Sequence, residues 1–334
     1  MSENFKHPPV LQNIHGDIRR VGYEFEFTGI DMARVAAIVK GLYGGDVQKI
    51  TTFEYEVNDT NFGTFTLELD TQLLRDKKYE KLLGAVGVDL PGFKDKEKIE
   101  DSLMDVASTV VPFEIVTPPI PIPEMHRLNS LVSLLQNEKA RGTGSSFIYA
   151  FGLHINPEIP FERTESLLNH LRAYVLLDPW IREAAGIDIS RRITPYINPY
   201  EDEYIRLILN PDYQPDLKQL ITDYFSYKNS RNRPLDMLPL FMHLDEEFTA
   251  TLIEEGLTSS RPAFHFRLPN CSLEDENWTL AAEWNRWVLV EELAADESIL
   301  NQYSRAWLKM EKETLIGFKR KWIELMNRRI EENA

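Results

Sequence analysis

The sequence predicts an α+β fold: a curved antiparallel sheet of about five or six strands, polar on its concave face and backed by helices. Period-two alternation of apolar and polar residues recurs through the first half of the chain. Helical spacing dominates the second half, and the polar side of several alternating runs carries carboxylates.

The first strand is Val21-Gly-Tyr-Glu-Phe-Glu-Phe27, with Tyr23, Phe25 and Phe27 on one face and Gly22, Glu24 and Glu26 on the other. Met32 to Leu42 has the spacing of a short helix, closed by Gly44 and Gly45. Alternation returns at Lys49 to Val57, Gly63 to Asp70 and Val110 to Val116, each expected as one strand. Lys94 to Asp101 mixes both signs of charge and reads as a solvated helix face. Met125 to Leu135 is expected as a helix between a proline-rich entry and Gly142, followed by a strand over Ser146 to Asn156. Leu167, Leu171, Tyr174 and Val175 mark a helix ending near Pro179, because proline cannot donate to the preceding turn. A strand over Phe264 to Leu268 precedes a helix marked by Leu280, Trp284, Trp287, Val288 and Glu291. Tyr303, Trp307, Met310, Phe318, Trp322 and Leu325 fall on one face of a single long helix expected to pack back on the body. Without a repeat or a Gly/Ser linker, the partition is one catalytic-type domain over 18–290 and a C-terminal amphipathic helical segment over 291–334.

With 334 residues, 43% of them hydrophobic, the chain is long and apolar enough to bury a core without disulfides. Lys and Arg total 37 against 53 Asp and Glu, a net charge of −16 that disfavours non-specific nucleic-acid binding. The single cysteine, Cys271, excludes an intramolecular disulfide and a cysteine zinc site. Met1 to Arg20 lacks the apolar stretch of a signal peptide, and no window resembles a membrane span. A soluble cytoplasmic protein with no membrane partner is the expectation; the oligomeric state is left open.

Glu24 and Glu26, two apart on a strand, project from the same face, roughly 6 to 7 Å apart from the rise per residue. Glu68 and Asp70 repeat the pattern, Glu114 lies in Val111-Pro-Phe-Glu-Ile-Val-Thr-Pro-Pro119, and His154 lies in Phe151-Gly-Leu-His-Ile-Asn-Pro157. Combined in one sheet, these residues form a wall of carboxylates and one imidazole that repels itself unless cations occupy it. Such donors suit Mg²⁺ or Mn²⁺ better than zinc, and carboxylate-held metal pairs recur in phosphoryl transfer. Arg267 shares its strand face with His265 and can bring a guanidinium to phosphate oxygens. Arg261, at the head of that segment, and Arg231 and Arg233, in an adjacent-sequence turn motif, are further candidates for phosphate contact, with Arg233 and Arg267 assigned catalytic roles. There is no GxxxxGK[ST] phosphate loop, HExxH or GxSxG motif. Gly142-Thr-Gly-Ser-Ser-Phe147 lacks the third glycine of a dinucleotide fingerprint and leads into a strand.

The ordered set Gly22-Tyr-Glu-Phe-Glu-Phe27, Phe113-Glu-Ile-Val-Thr-Pro-Pro119, the glycine/serine loop running into Gly152-Leu-His154, and a late strand ending in Phe266-Arg267 resembles the amidoligase family. The resemblance covers residues 18 to 290. It implies a fold like the catalytic domain of glutamine synthetase and glutamate–cysteine ligase, and an ATP-dependent carboxylate–amine ligase working through an acyl phosphate. It further implies Mg²⁺ (or Mn²⁺) around the ATP phosphates, with Glu24, Glu26, Glu114 and His154 at the matching places and Asp70 or Glu68 beside them. The substrates would be a small-molecule or peptide carboxylate and an amine. The family's last motif commonly reads Glu-Phe-Arg; here it is His265-Phe266-Arg267, so an imidazole stands where a carboxylate ligand is expected. Two other classes share these features: a non-catalytic nucleotide- or peptide-binding protein, and a metal-dependent hydrolase.

Overall fold

The sheet grows outward from the alternating segment β1 (Arg20–Phe27), whose Val21, Tyr23, Phe25 and Phe27 are completely buried. In the computed structural model, which describes residues 4–51, 54–69, 112–138, 151–187, 197–228, 232–253, 258–314 and 316–332, β1 is central in a nine-stranded open antiparallel sheet. The other strands are β2 (Asp46–Thr51), β3 (Glu54–Thr60), β4 (Gly63–Leu69), β5 (Phe113–Val116), β6 (Ile120–Pro121), β7 (Leu153–Pro157), β8 (Leu235–Asp236) and β9 (His265–Phe266). Their order is β2-β3-β4-β5-β1-β7-β9-β8, with β6 pairing the start of β1.

The sheet has more strands than the pattern predicts, for local reasons. The run over Lys49 to Val57 is two strands, since Thr51 pairs with Glu54 and the chain doubles back with no glycine, proline or asparagine to announce it. β6, β8 and β9 are two residues each, too short to show a period. Gly45, at φ 86°, lets β2 begin beside β3, because a Cβ there would collide with the Asn58 carbonyl.

Helices back the apolar face. α1 (Met32–Tyr43) is capped by Asp31, which accepts from the amides of Ala33 and Arg34. The segment expected as one helix over Met125 to Leu135 is a 3₁₀ turn (Ile122–Leu128) leading into α2 (Asn129–Asn137). α3 (Thr164–Ala184) does not stop at Pro179. Around the proline Trp322 Nε1 of the C-terminal segment donates to the Leu176 carbonyl at 2.7 Å, and within the helix Arg182 and Tyr174 both donate to Asp178. α4 (Asp202–Leu209), α5 (Leu217–Ser226), α6 (Leu238–Leu244) and α7 (Glu246–Ala250) follow, and α8 (Leu280–Ala295) lies along α3. Trp287 of α8 and Tyr174 of α3 pack on Phe266, at centroid distances of 5.5 and 5.8 Å.

The single C-terminal helix expected from Tyr303 to Leu325 is two, α9 (Glu297–Glu313) and α10 (Phe318–Glu332), separated near Gly317 at φ 77°. They fold onto each other through Trp307 and Trp322, whose rings meet edge to face at 5.0 Å, and both pack on α3. Among the described residues no helix is long and apolar enough to cross a membrane.

One buried ion pair joins the strand layer to the helices. Arg19, just before β1, meets both carboxylate oxygens of Glu291 on α8 at 2.8 Å and also donates to the carbonyls of Val10 and Glu158. With Trp287 Nε1 also donating to Glu291, neither buried charge is left without hydrogen bonds.

Candidate active site

The period of β1 that sends Tyr23, Phe25 and Phe27 into the core sends Glu24 and Glu26 to the opposite face, and antiparallel register extends that face across the sheet. Glu26 stands opposite Glu114, Glu114 opposite Glu68, and Glu68 opposite Glu54, a row of carboxylates across β1, β5, β4 and β3. In the next row Glu24 stands opposite His154. Ile155 pairs with Phe266, so the polar residues on either side, His154 and Asn156 on β7 and His265 and Arg267 beside Phe266, meet on the same face.

Side chains converge accordingly. His154 Nδ1 lies 2.5 Å from Glu24 Oε2 and 3.9 Å from Glu114 Oε1, and its Nε2 lies 3.3 Å from Glu26 Oε1. Asn156 Nδ2 donates to Glu24 Oε1 at 2.8 Å, Arg261 Nη1 donates to the same oxygen at 3.2 Å, and the Gly152 amide donates to Glu26 Oε2 at 2.6 Å. His265 Nε2 is 3.7 Å from Glu24 Oε2, its Nδ1 is 3.5 Å from Asp236 Oδ2, and its ring meets that of His154 edge to face at 5.1 Å.

These groups are largely shut off from water, which decides their charge. Burial pushes the Glu24 carboxyl up, but the neighbouring His154 and His265 outweigh it and hold Glu24 well below the usual carboxylate range. Burial lowers His154 below the ordinary histidine value, against the pull of Glu24 and Glu26. At neutral pH, therefore, Glu24 is ionised and His154 neutral. A carboxylate has no proton to give, so the His154 proton sits on Nδ1 and the lone pair on Nε2 is turned toward the acceptor oxygen of Glu26. Burial, then Glu54 and Glu24, raise the Glu68 carboxyl.

A lone pair facing a carboxylate is an arrangement that a cation relieves. Two donor groups have all their donor atoms within 4.8 Å of one another: Glu24, His154 and His265, and Glu26, Glu114 and His154. Both ring nitrogens of His265 and the amide oxygen of Asn156 are buried without a hydrogen bond. Glu26, Glu114 and His154 set two carboxylates against one imidazole, which fits a hard divalent cation, while Glu24, His154 and His265 set one carboxylate against two imidazoles, a mix that Mn²⁺ accepts more readily than Mg²⁺.

The remaining candidates are dispersed. Glu68 is on the wall but in neither donor group. Arg267 Nη1 is 3.5 Å from Asn232 Oδ1, and its positive charge is felt at His154. Arg233, expected to contact phosphate, instead has its guanidinium taken up by the backbone: it donates to the carbonyls of Asn198, Pro199 and Lys228 and lies over the Tyr200 ring. Asp70 and Arg231 lie outside the described residues.

Sequence reasoning missed Asn156 and Asp236. Asn156 was within reach, two positions past His154 on the same alternation. Asp236 carried no signal, because β8 is too short to show which way its residues point.

The chain matches the family described as "putative amidoligase enzyme" over residues 17–289. It belongs to that family. The matched region includes every strand of the sheet and both donor groups. No curated protein and no solved structure matches the chain.

Proposed function

We propose that this amidoligase-family chain is an ATP-dependent carbon–nitrogen ligase with a fold like the glutamine synthetase catalytic domain, joining a carboxylate to an amine. The observation that carries this reading is the pair of donor groups sharing His154, two adjacent places for hard cations on one buried face. Glu24 and His265 would hold one Mg²⁺, with the His154 Nδ1–H bracing Glu24, and Glu26, Glu114 and the Nε2 of His154 would hold the other. When bound, such ions neutralise charge on the phosphates of ATP.

The chain's own residues supply the rest. Arg261, 37% exposed at its side chain and already paired with Glu24, and Arg267 are the guanidinium groups suited to triphosphate oxygens. The substrate carboxylate attacks the γ-phosphorus, ADP leaves, and an acyl phosphate forms. The amine then attacks the acyl carbon, phosphate leaves, and the nitrogen gives up a proton. Glu68, its carboxyl raised by burial and by Glu54 and Glu24, is suited to accept that proton. The low exposure of the wall keeps water from the acyl phosphate.

The test is to incubate the protein with Mg²⁺, ATP and the common amino acids, using hydroxylamine as the amine. Hydroxamate formed together with ADP and phosphate is the expected result. ADP release unaffected by hydroxylamine, with no hydroxamate, would indicate a hydrolase. Mg·ATP that neither turns over nor shifts the melting temperature relative to an EDTA control would overturn the reading altogether.

A further inference from the structure

We infer that Asp236 is the positioning residue that makes His265 a cation ligand. This rests on the cation-binding reading of the wall and adds to it a residue from a different strand.

β8 places Asp236 directly opposite His265 of β9. The carboxylate is 2% exposed, and a buried anion is tolerated only where donors surround it. Among the described residues its one hydrogen bond is to Oδ1, from the Leu238 amide at 2.9 Å. That bond fixes the carboxylate plane and leaves Oδ2 facing His265 Nδ1 at 3.5 Å, a few tenths of an ångström beyond a good hydrogen bond. On the far side of the ring, Nε2 faces Glu24 Oε2 at 3.7 Å, within the group formed by Glu24, His154 and His265.

The ring thus lies between two carboxylates, with neither nitrogen yet hydrogen-bonded. Both carboxylates can only accept, but Asp236 is the nearer, at 3.5 against 3.7 Å, and is fixed by the backbone, so it draws the imidazole proton to Nδ1. Nε2 is left as a lone pair pointing at the cation position. Histidines that ligate metals ordinarily donate their other N–H to such a carboxylate, which sets the tautomer and makes the ligating nitrogen more basic. An imidazole backed by a carboxylate takes on part of that negative charge, one bond network further out.

Asp236→Asn separates this role from packing. The variant keeps the shape and the oxygen that accepts from Leu238 but turns an NH₂ toward His265 Nδ1. A donor there forces the ring proton to Nε2 and blocks the ligating lone pair.

Two readouts apply to the full chain labelled with ¹⁵N-histidine. Its seven histidines keep the spectrum tractable, and His265→Gln identifies the signal. In long-range ¹H–¹⁵N spectra the metal-free wild type should show His265 protonated at Nδ1, and Asp236→Asn should show it protonated at Nε2. Calorimetric titration with Mn²⁺ should show affinity reduced by about 10- to 100-fold in Asp236→Asn. Wild-type uptake of Mn²⁺ with undiminished affinity in the variant would overturn the Asp236 assignment alone, whereas no uptake by the wild type would overturn the cation site itself. If the variant does not fold, the wild-type spectrum still decides: a proton on Nε2 of His265 contradicts the assignment.

Discussion

Glu68 and Glu114 face each other directly across the β4–β5 pair, with Glu54 and Glu26 extending the row on either side. Like charges in directly opposed positions destabilise an antiparallel pair. The row is a standing cost to the fold, and a bound cation would remove part of it.

Glu68→Gln is therefore expected to raise the melting temperature of the metal-free protein. The sign follows from the raised Glu68 carboxyl, caused by burial first and then by Glu54 and Glu24. At low pH both folded and unfolded chains hold the proton and the substitution is neutral. As pH rises past about 4.3, the unfolded chain releases its proton more readily than the folded one, so the wild type loses stability and the variant does not. Thermal melts in EDTA from pH 4 to pH 8, on wild type and variant, measure the gap. A gap that widens with pH in EDTA and narrows in Mg²⁺ is the expected outcome; a variant less stable than wild type throughout would remove charge repulsion as the feature of this row.

Arg261 and Arg267 should separate under mutation. Arg261 competes for Glu24 Oε1 at 3.2 Å, so Arg261→Ala frees a ligand oxygen and removes a like charge beside a bound cation. At a half-exposed site this is worth about 1 kcal/mol, and Mn²⁺ binding without nucleotide should tighten about fivefold. Arg267 belongs to neither donor group, so Arg267→Ala should leave Mn²⁺ affinity nearly unchanged and lower ATP turnover by about 10²-fold or more. Calorimetry and steady-state kinetics on both variants decide it. Loss of metal binding in Arg267→Ala would place that guanidinium in the support of the donor groups and take it off the phosphate.

The polar face was legible where strands were long enough to show a period. Alternation alone put Glu24 and Glu26 opposite Tyr23, Phe25 and Phe27, and it put His154 on one side of β7. It could not show that His154 would stand beside Glu24, because register depends on where neighbouring strands are laid down. The family resemblance supplied that grouping. Failures came where a local signal yielded to a distant partner. Pro179 reads as a stop, yet α3 runs through it, with Trp322, remote in sequence, donating to the carbonyl of Leu176 in the adjoining turn. Arg233 reads as an exposed turn cation, yet the carbonyls of Asn198 and Pro199 claim it. Gly317 is a legible break, since a left-handed residue between Trp307 and Trp322 divides the C-terminal helix.

A last prediction concerns His170, on the helix side of the sheet. It is buried on α3 with its ring stacked on Phe264 at 4.8 Å and its Nδ1 2.7 Å from the Ser166 carbonyl. Burial lowers it below the ordinary histidine value; Glu291 of α8 pulls the other way, and Arg19 adds to the lowering. The folded chain thus keeps His170 neutral where the unfolded chain would take up a proton. Above about pH 6.5 neither state is protonated and His170 is neutral to stability; below it the unfolded state gains a proton, and stability falls by up to about 1.4 kcal/mol per pH unit until the folded group titrates too. His170→Asn keeps a donor near the Ser166 carbonyl but cannot titrate, and it gives up the ring stacking, worth about 0.5–1.5 kcal/mol. The variant should be less stable than wild type at pH 7.5, and the difference should shrink between pH 6.5 and pH 5. Urea unfolding at stepped pH measures both. Parallel pH profiles for the two proteins would show that His170 titrates alike in the folded and unfolded chain, contrary to its burial between α3 and Phe264.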